Sequence, residues 1–379
     1  MNAAEAPRND ALIAAFERAG YRRIASAILQ PAGPFLDLSG EDIRKRMYLT
    51  SDAQGHELCL RPDLTIPVSR EYLASPAVGR PQGFCYLGPV FRQPRAETEG
   101  PSEFWQAGIE SFGRADIAAA DAEMVALGLE AAASFSIEEP AIQLGDVGLF
   151  SALVAALDLA PAWKRRLIKD FNHKSTLAQD LDLLAVSAAR SPPEYQGVLN
   201  ALAGSHPKAA HALVTDLLSI AGITALGGRS VGEIADRFLE QAALGAKTSL
   251  PKEIRALIER FLAISGDPDE AAAELRTFAD DTKIALDAAL DLFENRTGFL
   301  AAHGVAVDRI RFSTGFGRGV DYYTGVVFEL HDSQGRIAGQ LVAGGRYDGL
   351  LTRLGSAKPI PAVGFAVWIE RLAMLQGST

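Results

Sequence analysis

Apolar residues along the chain change their spacing twice. Leu12, Phe16 and Ala19 recur at about one helical turn, so residues 9–30 open with a helix; Tyr21–Leu29 then reads as a strand, stopped by Pro31 and Gly33. Met47–Thr50 and Glu57–Arg61 flank the turn-like Asp52-Ala-Gln-Gly55, which predicts a hairpin. Phe84–Leu87 and Phe104–Ile109 predict two more strands, joined by the polar, turn-rich Gln93–Pro101 as a hairpin with a long loop. Ala118–Phe135 is Ala-rich and predicts a helix, and Ala141–Leu144 returns to the sheet. From about 150 to 300 the apolar spacing is helical, with breaks at Ser191-Pro-Pro193 and Gly266-Asp-Pro-Asp269. Ile284, Ala288 and Leu292, beside Leu286, Leu290 and Phe293, give one wide apolar stripe on the last of these helices. Strand patterns resume at Arg309–Thr314, Val326–His331 and Arg336–Ala343; Gly344-Gly345 interrupts them, and Phe365–Leu375 closes as a helix.

A β-rich, then helical, then β-rich chain is explained by one sheet domain carrying an insertion. Residues 1–150 and 301–379 form that domain, and 151–300 form a mostly helical insertion. No repeat or low-complexity tract interrupts it.

Composition narrows the function. The 379 residues are 48% hydrophobic and 22% charged, enough apolar material for a core without staples. Two cysteines, Cys59 and Cys85, make no disulfide framework and read as reduced thiols. The first residues lack a basic flank followed by an apolar run, and no apolar stretch reaches membrane-spanning length, so a cytoplasmic protein without membrane contact is expected. A formal net charge of −10 argues against a nucleic-acid partner, because phosphate binding replaces counterions with positive side chains.

Two motifs are decoys. Gly228-Arg-Ser230-Val-Gly232 matches a hydrolase nucleophile elbow, yet Ser230 and Glu233 also form a helix capping box. Gly315-Phe-Gly317-Arg-Gly319 lacks the third glycine of a dinucleotide fingerprint and reads as a bend between strands. The six histidines show no metal-ligand spacing, since His206 and His211 stand five apart, and no metal or cofactor is expected.

The informative clusters are polar groups on sheet positions. Asp63 and Thr65, two apart at a strand end, point to one side if the strand continues; Gln106 and Glu110, four apart on another strand, share a face. Arg318, Asp321, Tyr322 and Tyr323 precede a third strand, and Arg346, Tyr347 and Asp348 follow the glycine pair. Each alone reads as a turn or salt bridge. Together they supply what a free amino acid needs: acceptors for an ammonium group, an arginine for bidentate carboxylate binding, and a carboxylate or phenol for an imidazole.

Phe91-Arg92 with Glu103-Phe-Trp-Gln106-Ala-Gly-Ile-Glu110 resembles the second signature motif of the histidyl-tRNA synthetase family. Arg318-Gly-Val-Asp-Tyr-Tyr323 and Gly344-Gly-Arg-Tyr-Asp-Gly349 resemble two further motifs of that family, the first of them histidine-specific. Pro361-Ala-Val-Gly-Phe-Ala366 with Ile369-Glu-Arg-Leu372 resembles its third signature motif. The resemblance implies an α+β fold, the class II aminoacyl-tRNA synthetase core: a mainly antiparallel sheet flanked by helices, plus a mostly helical insertion. It assigns Asp63 and Thr65 to a histidine ammonium, Gln106 and Arg318 to the carboxylate, and Glu110 with Tyr322 or Tyr323 to the imidazole. Arg92 and Arg371 would be vestiges of an ATP site.

Departures from the synthetases point to a branch of the family. Gly100-Pro-Ser102 stands where they carry an Arg-x-Arg pair, with Glu97 and Glu99 adding negative charge. Trp368 stands where they have glycine, and the chain ends at Thr379, so no C-terminal anticodon-binding domain is expected. This combination is similar to the regulatory subunits of ATP phosphoribosyltransferase, as is the Arg-Pro-Asp-Leu-Thr form of residues 61–65. It implies a non-catalytic chain that dimerises and joins a short catalytic subunit in a hetero-octamer, with histidine as effector and no tRNA. Arg92, Arg318 and Arg371 keep histidine adenylation as a second reading, and a hydrolase using Ser230 is a third.

Overall fold

The computed structural model describes residues 6–95, 101–171, 177–178, 181, 207–220, 225–226, 229–230 and 252–376. Two compact units emerge, one of residues 1–153 with 261–379 and one of residues 154–260.

The first unit is built on a nine-stranded sheet. Its strands in chain order are β1 (Arg22–Arg23), β5 (Gln82–Phe91), β6 (Glu103–Phe112), β7 (Ala141–Asp146), β10 (Ser265–Gly266), β11 (Ile310–Ser313), β12 (Val326–His331), β13 (Val342–Arg346) and β14 (Ala362–Trp368). They lie in the spatial order β1-β5-β6-β14-β13-β12-β7-β11-β10, and only the β1–β5 and β7–β11 pairs are parallel. A second sheet joins β2 (Leu29–Pro31), β4 (Glu57–Leu60) and β3 (Tyr48–Ser51) in that order. The predicted hairpin over 47–61 is its β3–β4 pair, where Asp52 Oδ1 accepts the Gln54 and His56 N–H groups at 2.9 and 2.8 Å and closes the turn. Tyr21–Leu29 is not one strand: pairing is confined to β1 and β2 at its two ends.

Helices cover the large sheet. α1 (Ala6–Arg18) buries Leu12, Ile13 and Phe16, and packs on β5 and β6. Between it and the small sheet's hairpin lie the short α2 (Gly33–Leu38) and α3 (Gly40–Lys45); α4 (Thr65–Leu73) follows β4. α5 (Ile117–Ala133), almost wholly small and apolar, packs on β12, β13 and β14. Gly128 allows this approach, since a Cβ there would stand 3.3 Å from Phe328 and Val342.

After β7 comes α6 (Val147–Ala156), on which the chain passes into the second unit. There the described elements are α7 (Pro161–Asp170), α8 (Pro207–Ile220), the hairpin β8 (Ala225–Leu226) with β9 (Arg229–Ser230), and α9 (Lys252–Leu262), on which the chain returns. Helical character predicted for this stretch is present in these elements; Ser191-Pro-Pro193 lies outside the described residues. Ser230 closes β9, and Glu233, its capping partner by sequence, also lies outside them.

The helices α10 (Pro268–Thr282) and α11 (Asp287–Ala302), grouped with the insertion by sequence, belong to the first unit, where α11 packs on α5. Asp267 caps α10, accepting two N–H groups at 2.9 Å, so the Gly-Asp-Pro-Asp break is a helix start. The buried stripe of α11 is Leu290, Phe293, Arg296, Thr297 and Leu300; Ala288 is exposed, and the charged Arg296 sits inside the stripe.

Two expectations near the end of the chain fail. Gly344 and Gly345 do not interrupt a strand but form the middle of β13, whereas 336–341 is a loop. A Cβ at Gly344 would stand 2.5 Å from Phe365 Cβ, and one at Gly345 2.9 Å from the Tyr323 ring, so the glycines admit close neighbours. Ala362–Trp368 is a strand and not the start of a helix; the helix is α13 (Ile369–Gln376), after the brief α12 (Leu350–Arg353).

Candidate functional site

Ten residues singled out by sequence converge on one face of the central strands. A cavity of about 900 Å³ is lined by Asp63, Thr65, Arg92, Gln106, Arg318, Tyr322, Tyr323, Trp368 and Arg371. Glu110 lies directly beneath it, bonded to the lining residues Thr65 and Tyr347. The route differs from the predicted one for Asp63 and Thr65. The strand ends at Leu60 and Thr65 begins α4, so a turn brings the pair together in place of strand alternation. Asp63 Oδ1 accepts the Ile66 N–H at 3.2 Å and supports that first helical turn.

Gln106 and Glu110 do share one face of β6, and both are buried. Gln106 Oε1 accepts no hydrogen bond, although almost all buried polar atoms in folded proteins have a partner. Glu110 is fully inaccessible, and its carboxyl group receives three hydroxyls: Thr65 at 2.7 Å, Tyr86 at 3.2 Å and Tyr347. Burial nevertheless pushes its pKa up to about 8, against the lowering effect of those hydrogen bonds. Burial also raises Asp63, opposed by the positive charge of Arg92.

Arg318 is not free. Its Nε donates to Glu329 Oε1 at 3.0 Å and its Nη1 to the Tyr323 hydroxyl at 2.6 Å, while His331 Nε2 stands 3.0 Å from the other Glu329 oxygen. Burial disfavours its charge, but the Tyr323 and Glu329 oxygens outweigh that and its pKa rises. Tyr322, Tyr323 and Tyr347 form an aromatic corner with ring centroids 4.9 to 6.5 Å apart.

Further arginines line the cavity, each with partners of its own. Arg371 donates to the Gln340 carbonyl at 2.6 Å and lies over the Trp368 ring at 5.5 Å. Arg92 donates to the Pro62 carbonyl at 2.7 Å and lies over Phe104; burial lowers its pKa to about 10. Arg336 pairs with Asp332 at 2.9 Å, and the Glu370 carboxylate accepts the Trp105 N–H at 2.7 and 3.0 Å.

Sequence reasoning gave no role to Tyr86, Tyr347 or Glu329. Tyr347 stood in a flagged cluster, whereas Tyr86 offered no signal, being on β5 opposite Gly108. Of the decoys, Gly315–Gly319 is a bend between β11 and β12, as expected. Among the described residues no group of three or more His, Cys, Asp or Glu side chains could hold a metal ion, and no helix is long and apolar enough to cross a membrane.

The chain is similar to known proteins. The family model described as histidyl-tRNA synthetase matches residues 2–226 and 212–372. An ATP phosphoribosyltransferase regulatory subunit of Brucella canis is 42% identical over 352 residues, 92% of this chain and 92% of its own length. The chain belongs to the family of ATP phosphoribosyltransferase regulatory subunits. The relative of that name from Brucella melitensis biotype 1 matches at the same 42% identity, over 92% of this chain and 91% of its own. Among solved structures, an ATP phosphoribosyltransferase regulatory subunit/histidyl-tRNA synthetase from Bacillus halodurans shares the fold. It aligns with a TM-score of 0.67 at 22% identity, over 98% of this chain and 78% of its own. A histidine–tRNA ligase subunit from Alicyclobacillus acidocaldarius aligns with a TM-score of 0.57 at 25% identity, over 98% of this chain and 94% of its own. This chain thus has the class II synthetase-like core predicted from the motifs.

Proposed function

We propose that this chain is the regulatory subunit of an ATP phosphoribosyltransferase and that its cavity binds free histidine as a feedback effector. The observation that carries the ligand is Gln106 Oε1, a buried acceptor without a donor on the cavity wall. With Asp63 and Thr65 it suits an ammonium group, a change from the carboxylate role implied by the resemblance. Arg318 would take the carboxylate from Glu329, and Tyr322 or Tyr323 would meet the imidazole, with Glu110 behind the wall holding Thr65 and Tyr347. Feedback then requires histidine to bind one state of the complex better than another.

The same cavity supports a non-catalytic role. A phosphate there would compete with contacts already made, Arg371 with the Gln340 carbonyl and the Trp368 ring and Arg336 with Asp332. The partner would be a short catalytic subunit that makes phosphoribosyl-ATP from ATP and phosphoribosyl pyrophosphate in the cytoplasm, within a hetero-octamer. For self-association, the outward face of the small sheet offers Leu29, Pro31, Tyr48, Leu58 and Leu60, with Leu29 48% exposed.

The test is phosphoribosyl-ATP formation by the catalytic subunit with and without this chain while histidine is titrated. Activation that histidine reverses is expected; no effect on a competent catalytic subunit refutes the proposal. Adenylation of histidine remains the second reading, because Arg92 and Arg318 both line a cavity roomier than one amino acid needs. Histidine-dependent exchange of pyrophosphate into ATP would establish it.

A further inference from the structure

Behind the pocket runs a buried ionic chain that the ligand reading does not use. Asp121 on α5, 0% exposed, stands at its centre. Its Oδ2 accepts Arg296 Nε at 2.9 Å; its Oδ1 accepts Arg346 Nε at 2.7 Å and lies 2.6 Å from Arg346 Nη2. On one side the chain reaches the pocket. Arg346 Nη1 donates to Asp348 at 2.8 Å, and Tyr347 between them bonds Glu110. On the other side Arg296 Nη1 donates to Asp146 at 2.7 Å. The second oxygen of Asp146 accepts the Gly148 N–H at 2.8 Å in the first turn of α6, the helix on which the chain leaves this unit.

The two ends also meet through backbone. The Val147 N–H at the start of α6 donates to the Gly325 carbonyl at 3.0 Å, and the Thr324 N–H donates to the Arg346 carbonyl at 2.8 Å. Gly325 and Thr324 directly follow the pocket residues Tyr322 and Tyr323. Tyr347 and Tyr323 are thus each connected to the first turn of α6, one through the ionic chain and one through the backbone.

The chain is also under-satisfied. Arg296 is 1% exposed, and its Nη2 has no hydrogen-bond partner. Leaving a buried guanidinium donor unmatched is costly, so the arrangement described is not the best one this arginine could have. A second arrangement of comparable stability is what a switch needs.

We propose that Arg296 and Asp121 are positioning residues that couple occupancy of the pocket to α6, and so carry the histidine signal toward the rest of the complex. This rests on the reading of the cavity as a histidine site. Because coupling is reciprocal, it is measured as the ratio of histidine dissociation constants for the chain alone and for the chain with its catalytic subunit.

Calorimetry on the intact chain and on the complex gives that ratio for the natural sequence and for Arg296→Lys, which keeps the charge but loses the planar fork whose Nε and Nη1 hold Asp121 and Asp146 separately. The natural sequence is expected to show a ratio of at least about fivefold in either direction. Arg296→Lys should bind histidine alone within about threefold of the natural affinity, with a ratio near one. Should that variant not fold, Arg296→Met combined with Asp146→Asn removes opposite charges together and makes the same prediction. A folded variant with the natural ratio overturns the coupling role, as does one that loses histidine affinity when alone. No histidine binding by the natural chain would overturn the cavity reading itself, and this inference with it.

Discussion

Replacing Glu110 by glutamine should remove a large part of the pH dependence of stability. In the folded protein burial holds this carboxyl's pKa near 8, against an ordinary value of 4.5. Between those values the unfolded chain has released the proton and the folded chain has kept it, so the native state binds more protons. Stability attributable to Glu110 is therefore fully present below about pH 4.5 and declines as pH rises to about 8. The slope is about −1.4 kcal/mol per pH unit, and the interval sums to roughly 5 kcal/mol at most. That is a substantial part of the 5–15 kcal/mol or so by which domains are stable. Glu110→Gln is neutral throughout and keeps one oxygen for the Thr65, Tyr86 and Tyr347 hydroxyls; its amide nitrogen forces one of them to reorient, at about 1 kcal/mol. Urea unfolding of both proteins at intervals from pH 5 to 8.5 gives the difference in stability at each pH, which cancels every group they share. The difference should move in favour of the variant by several kcal/mol across this range and level off above pH 8. A pH-independent difference would show that Glu110 ionises normally inside the fold and would refute the argument.

Gln106→Leu should have opposite effects on stability and binding. Removing an unpaired buried acceptor should stabilise the ligand-free chain by about 1 kcal/mol in thermal unfolding, while calorimetric histidine affinity falls at least about tenfold; a variant that is less stable and binds normally would contradict the role given to Oε1. Arg318→Ala should weaken histidine binding by roughly 10- to 100-fold through loss of a charge-assisted contact, and an unchanged affinity in a folded variant would remove Arg318 from the site. Leu29→Glu should shift sedimentation of the isolated chain toward monomer with little change in melting temperature, and unaltered association would exclude the outer face of the small sheet.

Local signals were legible where chain period and turn chemistry decide the outcome. The β3–β4 hairpin follows from its turn residues, α5 from its alanine content, and the shared face of Gln106 and Glu110 from spacing. Errors arose where tertiary contact overrides that spacing. Asp63 and Thr65 meet because the chain turns after Leu60 into a helix, which strand alternation cannot foresee. Gly344 and Gly345 look like a break until the closeness of Phe365 and Tyr323 is known. The apolar run Ala362–Trp368 fits a buried strand as well as a buried helix, and only its pairing with β6 and β13 separates them. Clustering of site residues was legible through four motifs in order, since each motif fixes a segment. The Asp121–Arg296–Arg346 chain was not, because its members lie 175 and 225 positions apart and each resembles an ordinary surface charge in sequence.

The position of β14 also bears on how the protein is made. It is the sixth strand of the first unit's antiparallel centre to be synthesised, yet it lies between β6 and β13, pairing Phe112 with Ala362 and Arg346 with Val363. Until the ribosome has delivered it, β6 presents an unpaired edge, and Glu110 lacks the Tyr347 hydroxyl that arrives only shortly before. Contacts so distant in sequence form slowly, because the long intervening loop must be closed before they contribute. The cavity wall that β14 completes therefore forms only after β6 has waited for it, and an exposed β6 edge is a route to aggregation during that interval.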